Sequence, residues 1–270
     1  MPLRTALLAL LTASLAFAQD APGAIDRPAQ LPGLTVSDVK AAWTAPAGWS
    51  GATWTRVGLG AAAVVGLSLA LDRTVARGVQ RSDLSRFDSV AKGLGTLGGT
   101  GSIAIAGGAY LGGLMTDQPR VREFGADAAC AMLVGEVAFT LPAKYLAGRS
   151  RPSTGTDPYR FQPMRGDPGF PSSHATLAFS LATVIAQYAD RPWASVAAYG
   201  GAGLVGLSRI QQREHFVSDL VAGAAVGIGS ARLVLLRHRT LRLGTGRPVD
   251  LAFTPVWTGD QTGLRARLTF

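Results

Sequence analysis

The sequence predicts an all-α fold, a bundle of about six helices followed by a small C-terminal β-hairpin. Apolar, Gly/Ala-rich stretches of helical length recur from about residue 54, and short connections between them are typical of helix bundles. Hydrophobic residues make up 47% of the 270, enough for a sizeable core. Spaced glycine pairs would permit close contacts between helices; they are Gly95/Gly99 and Gly108/Gly112. The six predicted helices are Val57–Leu71, Leu94–Met115, Ala126–Ala147, Ala175–Ala189, Trp193–Leu207 and Leu220–Leu236.

The N-terminal residues 1–18 are typical of an export signal. Arg4 precedes the apolar run Leu7–Leu15, and Ala16–Ala18 has the small-x-small pattern of a cleavage site. The alternative is an uncleaved anchor helix, for which the apolar run is short. Residues 19–53 are rich in Pro, Ala and Gly, which predicts a linker or a loosely docked arm.

The C-terminal residues 240–270 change from a helical to an alternating pattern. Leu264, Ala266, Leu268 and Phe270 alternate with polar residues, as along a half-buried strand. With the preceding apolar stretch and a Thr-Gly-Asp turn, this tail is predicted to be a hairpin packed on the helical domain at residues 54–239.

The net charge of +9 and the pI near 10.5 indicate anionic partners, such as phosphate compounds or an anionic membrane surface. Nucleic acid is not expected, because the basic residues are dispersed and do not alternate with aromatic residues. The single cysteine, Cys130, excludes an intrachain disulfide and is expected in the core. Three histidines without a Cys/His cluster predict no metal site and no cofactor.

The sequence gives divided evidence on a membrane location. Several predicted helices have only about 15 residues, fewer than the roughly 20 that cross a bilayer. Glu136 and Arg232 lie inside two of them, which is costly in lipid. Counting crossings from a cleaved signal places the basic loop Asp72–Lys92 in the cytoplasm, as the positive-inside rule favours, but it also places Lys144 there. We expect an exported, periplasmic bundle resting on a membrane, with an integral inner-membrane protein as the alternative.

Pro171–His174 reads Pro-Ser-Ser-His and opens a predicted helix. Free backbone N–H groups and the helix dipole favour an anion at such an end. Ser172 is a candidate N-cap, and an ordinary cap without further function is the alternative.

Two further stretches carry groups suited to phosphate. Lys144 and Arg151 are seven residues apart, which predicts that they share one helical face, where two cations repel unless an anion lies between them. Ser208 and Arg209 precede His215 and Asp219, whose i,i+4 spacing lets the carboxylate orient the imidazole and leave its other nitrogen free as a nucleophile. The alternatives are a solvated basic helix end and a surface His–Asp pair.

The order Lys-x6-Arg-Pro, Pro-Ser-x-His and Ser-Arg-x5-His-x3-Asp resembles the type 2 phosphatidic acid phosphatase (PAP2) superfamily. That superfamily also contains bacterial class A acid phosphatases and vanadium haloperoxidases. The resemblance covers about residues 55–237. One position departs from it, because the residue after the motif serine is usually Gly and is here Ser173, whose side chain could limit the approach of the backbone to phosphate.

The resemblance implies a role for each motif residue. His215 attacks phosphorus to give a phosphohistidine, Asp219 orients it, and His174 protonates the leaving oxygen and then activates water. The expected phosphate-binding groups are Lys144, Arg151, Arg209, the Ser172 hydroxyl and the Ser173 amide. His238 matches no motif and is predicted to lie at the surface.

The predicted function is that of a metal-independent phosphatase acting on phosphomonoesters or diphosphates. The apolar helices and positive charge favour lipid phosphates of the phosphatidate or isoprenyl diphosphate type. The alternatives are a soluble periplasmic acid phosphatase for small phosphomonoesters, a vanadate-dependent haloperoxidase, and a non-catalytic bundle that binds anionic lipid. The loop between Ser153 and Phe170, with Asp157, Arg160, Arg165 and Asp167, is a candidate for substrate selection. Vanadate is expected to bind as a phosphate mimic.

Overall fold

The computed structural model describes residues 27–155, 157–164, 168–189, 191–242, 250–258 and 261–269. The export signal predicted over 1–18 lies outside them. The predicted all-α class is confirmed for the domain, although π-helical turns at Leu97–Gly101 and Val134–Thr140 divide two of the expected helices. The α-helices are α1 (Leu31–Thr44), α2 (Gly51–Arg81), α3 (Asp88–Thr96), α4 (Ser102–Met115), α5 (Pro119–Leu133), α6 (Leu141–Ala147), α7 (Ser173–Ala189), α8 (Pro192–Gln211) and α9 (Val217–Arg242).

Two strands follow the helical domain. β1 (Asp250–Thr258) and β2 (Gln261–Thr269) pair antiparallel, in a register that places Asp250 opposite Thr269 and Thr258 opposite Gln261. Gly259 and Asp260 of the predicted turn lie outside the described residues.

Helix α7 lies between α8 and α9 and also packs on α5. Buried residues of α5, α7 and α9 form the largest part of the core, and many of them are small, so the helices can approach closely. Cys130 belongs to this core, as expected. The shared core fixes the N-terminal ends of α7 and α9, which carry two of the predicted motifs, relative to each other.

Helix α1 shows that the expectation of a loose arm over 19–53 is wrong for its central part. Leu34 and Ala42 are buried, and the fully buried Asp38 accepts a hydrogen bond of 2.8 Å from Nε of Arg237 on α9. Pro32 and Gly33 suggest a linker, but proline in the first turn of a helix is favourable because its missing N–H is not needed there.

His238 corrects a second expectation, because it is buried and not at the surface. Its Nδ1 lies 2.6 Å from Asp127 Oδ1, and its Nε2 lies 2.9 Å from Asp38 Oδ2. The His238 ring therefore connects α9 to both α5 and α1. These partners are distant in sequence, so the basic run around His238 gave no sign of the buried cluster.

Several helices are longer than the sequence predicted, and this bears on the membrane question. Two helical stretches, Pro119–Ala147 and Val217–Arg242, are long and apolar enough to cross a membrane by length and composition alone.

Of the spaced glycines, Gly95 and Gly99 make close contacts, whereas a Cβ at Gly108 or Gly112 would meet nothing within 4 Å. The second glycine pair is therefore not a packing site among the described residues.

Candidate active site

Six of the eight predicted site residues line one cavity of about 280 Å³ near the N-terminal end of α7. Ser172 and Asp219, the other two, are fully buried beside it. Three separate stretches of chain thus converge on one space of a size suited to a phosphate group. The predicted residues in the cavity wall are Lys144, Arg151, Ser173, His174, Arg209 and His215, and the wall also includes Leu141, Tyr145, Pro168 and Glu214.

Lys144 and Arg151 reach the cavity by a different route from the one predicted. Helix α6 ends at Ala147, and Gly148 adopts φ +56°, a left-handed conformation that glycine accepts most readily. Arg151 follows in extended backbone, so it does not share a helical face with Lys144. Lys144 Nζ donates to the carbonyl of Pro168 at 3.2 Å, and Arg151 pairs with Glu214.

The N-terminal end of α7 supplies His174 and Ser173 to the cavity. The Ser172 hydroxyl accepts a long hydrogen bond of 3.4 Å from the Ala175 N–H, as an N-cap does, and is not exposed. The Ser173 hydroxyl donates to Glu136 Oε1 at 2.6 Å. This contact directs the Ser173 side chain towards the π-helical turn that contains Glu136. The side chain that replaces the usual Gly is therefore held against Glu136.

His215 lies just before α9 and is buried against Asp219. Its Nδ1 is 3.6 Å from Asp219 Oδ2, longer than a hydrogen bond, as is common in active sites without substrate. Asp219 Oδ2 accepts the Phe216 N–H at 2.8 Å, which is half of a capping box at the start of α9. The carboxylate therefore faces Nδ1 and leaves Nε2 as the nitrogen available to a ligand.

Arg149 is a site residue that the sequence reasoning missed. Its guanidinium is 1% exposed and donates to Asp219 Oδ1 at 2.6 Å and to Asp72 Oδ2 at 2.7 Å. It also donates to the Ser218 hydroxyl oxygen, and the Ser218 O–H in turn donates to Asp72 Oδ2. Arg149 thus joins α2, the chain after α6 and the start of α9 behind His215.

Arg209 extends from α8 across the backbone of α3. A Cβ at Gly95 would lie 2.0 Å from Arg209 Nη2, and a Cβ at Gly99 would lie 3.1 Å from His174 Nε2. Both glycines therefore leave space for site side chains. Arg209 donates to Gln212 and, at 3.5 Å, to the carbonyl of Ala91.

The cavity is electropositive. Three cationic side chains and the single carboxylate of Glu214 lie in its wall. Burial, together with the nearby positive charges of Arg209 and Lys144, lowers the pKa of His174 to about 4. Burial also lowers the pKa of His215, although Asp219 opposes this. Both imidazoles are therefore neutral near pH 7 in the free protein, and the net positive charge favours a phosphate dianion.

Comparison with known proteins agrees with this arrangement. The family model described as "PAP2 superfamily" matches residues 126–242, a range that contains every predicted site residue. Residues 126–242 are therefore similar to the PAP2 superfamily. The resemblance inferred from the three motifs is therefore confirmed for this segment.

Two curated proteins are similar to parts of the chain. A protein named lipid A 1-phosphatase from Porphyromonas gingivalis is 42% identical over 88 residues, which cover 32% of this chain and 17% of that protein. A protein named lipid A 4'-phosphatase from Bacteroides thetaiotaomicron is 34% identical over 112 residues, covering 38% of this chain and 50% of that protein. The chain therefore spans at most about half the length of these relatives. No solved structure shows significant similarity.

Substitution of Gly95 by Ala should weaken the binding of phosphate in the cavity without lowering stability. The new Cβ would displace the Arg209 guanidinium, which is the flexible end of a long side chain. Alanine also favours the helical conformation by about 1 kcal/mol over glycine. We expect the affinity for inorganic phosphate to fall by about tenfold, as for one lost charged hydrogen bond, while the melting temperature is unchanged or higher. Gly93→Ala, where the new Cβ meets nothing, is the matched control. Equal phosphate affinities of the two variants would contradict the role given to Arg209.

The pKa of His174 can be measured directly, because the chain has only three histidines. Titration followed by histidine NMR should give a pKa of about 4. Lys144→Met should raise it, since one repelling charge is removed, whereas Arg160→Met should not. This pKa lies below the value near 6.5 expected in the unfolded chain, so unfolding takes up a proton between these two pH values. Protonation therefore favours the unfolded chain, and His174 lowers the stability of the fold as the pH falls from about 6.5 to about 4. A pKa near 6.5 that does not respond to Lys144→Met would contradict the electrostatic description of the cavity.

Proposed function

We propose that the chain is a phosphatase that hydrolyses phosphorylated lipids through a phosphohistidine and needs no metal ion. The observation that carries the proposal is the convergence of two histidines and three cations on one 280 Å³ cavity. Phosphoryl transfer requires an in-line nucleophile, stabilisation of the equatorial oxygens and protonation of the leaving group. The residues of this cavity can supply all three.

In the proposed reaction, the Nε2 lone pair of His215 attacks phosphorus while the bond from phosphorus to the leaving oxygen breaks. Lys144, Arg151 and Arg209 hold the three equatorial oxygens, together with the Ser173 amide. His174 donates its proton to the leaving oxygen. The bound dianion favours the protonated imidazole, against the burial and the positive charges that keep this histidine neutral in the free protein. Water then attacks phosphorus and gives its proton to His174, and the N–P bond breaks to release phosphate.

A lipid substrate is supported by the apolar rim of the cavity. Leu141 and Tyr145 line the cavity and are exposed, and Leu146 beside them is 71% exposed. The loop after Ser153 also exposes Phe161 and Met164, and the Met164 N–H donates to the carbonyl of Tyr145 at 2.8 Å. Such a rim can receive an acyl chain while the phosphate occupies the basic interior. The names of the two relatives point to the same substrate class, and their lipid, lipid A, is one candidate.

We also propose that the enzyme works at a membrane in the cell envelope. Two helices meet the length and composition expected of membrane-spanning segments, and large apolar residues are exposed on other helices. These include Ile103 and Leu111 on α4 and Trp193, Val196 and Leu204 on α8. Exposed apolar area of this extent is favourable in contact with lipid. Fractionation of cells that express the full chain should place it with the membranes and not in the soluble periplasmic fraction.

A substrate panel tests the proposed function. The purified full chain is assayed for phosphate release from dioctanoyl phosphatidate, an isoprenyl diphosphate, lipid A and glycerol 3-phosphate, with and without EDTA. We expect kcat/KM for phosphatidate to exceed that for glycerol 3-phosphate by about tenfold or more, because the free energy of burying two or more methylene groups corresponds to about this factor. Vanadate should inhibit and EDTA should not.

Matched variants locate the source of this preference. Leu146→Ser should reduce the preference for phosphatidate and leave hydrolysis of glycerol 3-phosphate unchanged. Leu111→Ser on α4, at an exposed position outside the cavity wall, should change neither. Equal turnover of both substrates would favour a phosphatase for small monoesters. Halide oxidation with vanadate and no phosphate release would favour a haloperoxidase, and binding without turnover would favour a non-catalytic role.

A further inference from the structure

A second basic groove lies at the other end of the helical domain. Its volume of about 910 Å³ is larger than that of the active-site cavity. Its walls are formed by the first half of α5, the end of α7, Tyr199 of α8 and the last three turns of α9. Four arginines line it together with apolar and aromatic side chains; they are Arg120, Arg232, Arg239 and Arg242.

The acidic groups of this groove are already neutralised. Asp127 is fully buried and accepts hydrogen bonds from Arg242 and His238, and Glu123 lies 3.8 Å from Arg242. Arg232 and Arg239 are exposed and make no ion pair within the described part of the chain. They are seven residues apart on α9, so their side chains project from the same face. The groove therefore keeps an excess of positive charge.

The groove combines these charges with apolar surface. Leu236 is 66% exposed and lies between Arg232 and Arg239 in the wall, and the ring of Tyr188 faces the same space. Two guanidinium groups about two helical turns apart suit a phosphate group, which arginine binds through paired hydrogen bonds. The apolar surface between them suits the hydrocarbon that adjoins a lipid phosphate.

We propose that this groove, with Arg232 and Arg239 as its phosphate-binding residues, binds the phosphodiester headgroup of an anionic lipid as a second site. It is separate from the active site, because Arg232 and Arg239 follow Asp219 by 13 and 20 residues on the same helix. At about 1.5 Å per residue, this places them roughly 20–30 Å from the start of α9. If α9 crosses a bilayer, the groove meets the leaflet opposite the active site, where basic pockets between helices recognise anionic headgroups.

The test measures lipid binding to the purified full chain in a neutral detergent. The probes are dioctanoyl phosphatidylglycerol, dioctanoyl phosphatidylcholine and inorganic phosphate, and the readout is the rise in melting temperature with probe concentration. Arg232→Gln/Arg239→Gln should weaken the apparent affinity for phosphatidylglycerol by about tenfold or more, as expected for two lost charged contacts. Arg77→Gln/Arg81→Gln removes the same charge from an exposed part of α2 and should leave that affinity unchanged.

Phosphate hydrolysis in detergent should be the same for both double variants, which separates this site from the proposed catalytic function. A preference for phosphatidylglycerol over inorganic phosphate identifies a headgroup site, whereas equal affinities identify a site for free phosphate and overturn the lipid assignment. Retention of full affinity in Arg232→Gln/Arg239→Gln, an equal loss in the α2 control, or equal binding of phosphatidylcholine would overturn the proposal.

Discussion

Substitution of His215 by Ala should abolish phosphate release, with a fall in kcat of about 10⁴-fold or more. The reason is that no other side chain in the cavity wall is placed with a carboxylate behind it and a free nitrogen towards the ligand. The measurement is the steady-state rate with phosphatidate at saturating concentration. Inorganic phosphate should still bind, because Lys144, Arg151 and Arg209 remain.

His174→Ala is the informative companion to this variant. It should slow the release of an alkoxide from phosphatidate much more than the release of p-nitrophenolate, which needs no proton to leave. His215→Ala should be equally inactive with both substrates. Substantial turnover by His215→Ala, or the same leaving-group dependence in the two variants, would contradict the roles assigned to these histidines.

Arg149→Met should destabilise the fold by about 3–5 kcal/mol, the usual cost of removing one partner of a buried ion pair. The substitution leaves Asp72 and Asp219 buried without their cation. It should also reduce activity, since Asp219 would no longer be held behind His215. The midpoint of denaturant unfolding measures the first effect, and the exposed Arg160→Met should change it by less than about 0.5 kcal/mol.

The double variant Arg149→Met/Asp72→Asn gives a further check on this network. Neutralising one of the two carboxylates should recover part of the lost stability, because fewer uncompensated charges remain buried. It should not restore full activity, since the second carboxylate, Asp219, still lacks its donor. An Arg149→Met variant as stable as the control would show that the buried network is not required by the fold.

The sequence predicted the composition of the site better than its geometry. Motif spacing identified the six residues that share the cavity, because their chemistry is specific to phosphate. It placed Lys144 and Arg151 on one helical face, whereas the left-handed Gly148 ends the helix between them. A glycine four residues after a lysine, as Gly148 follows Lys144, is a common helix ending and could have been recognised as one.

Other residues could not be found from local patterns. Arg149, Glu136 and Glu214 act through partners that are 37–77 residues away, so no spacing relates them. The same holds for His238, which is buried only because Asp38 and Asp127 come from two other helices. Such pairs depend on tertiary packing, which short-range periodicity does not contain.

The most direct test of the account is to trap the covalent intermediate. The protein is mixed with ³²P-labelled phosphatidate, quenched in alkali within the first turnover and digested, and the labelled peptide is identified by mass spectrometry. We expect a phosphoryl group on His215, and no label in His215→Ala. Label on another residue, or single-turnover phosphate release with no labelled protein at any time, would contradict it.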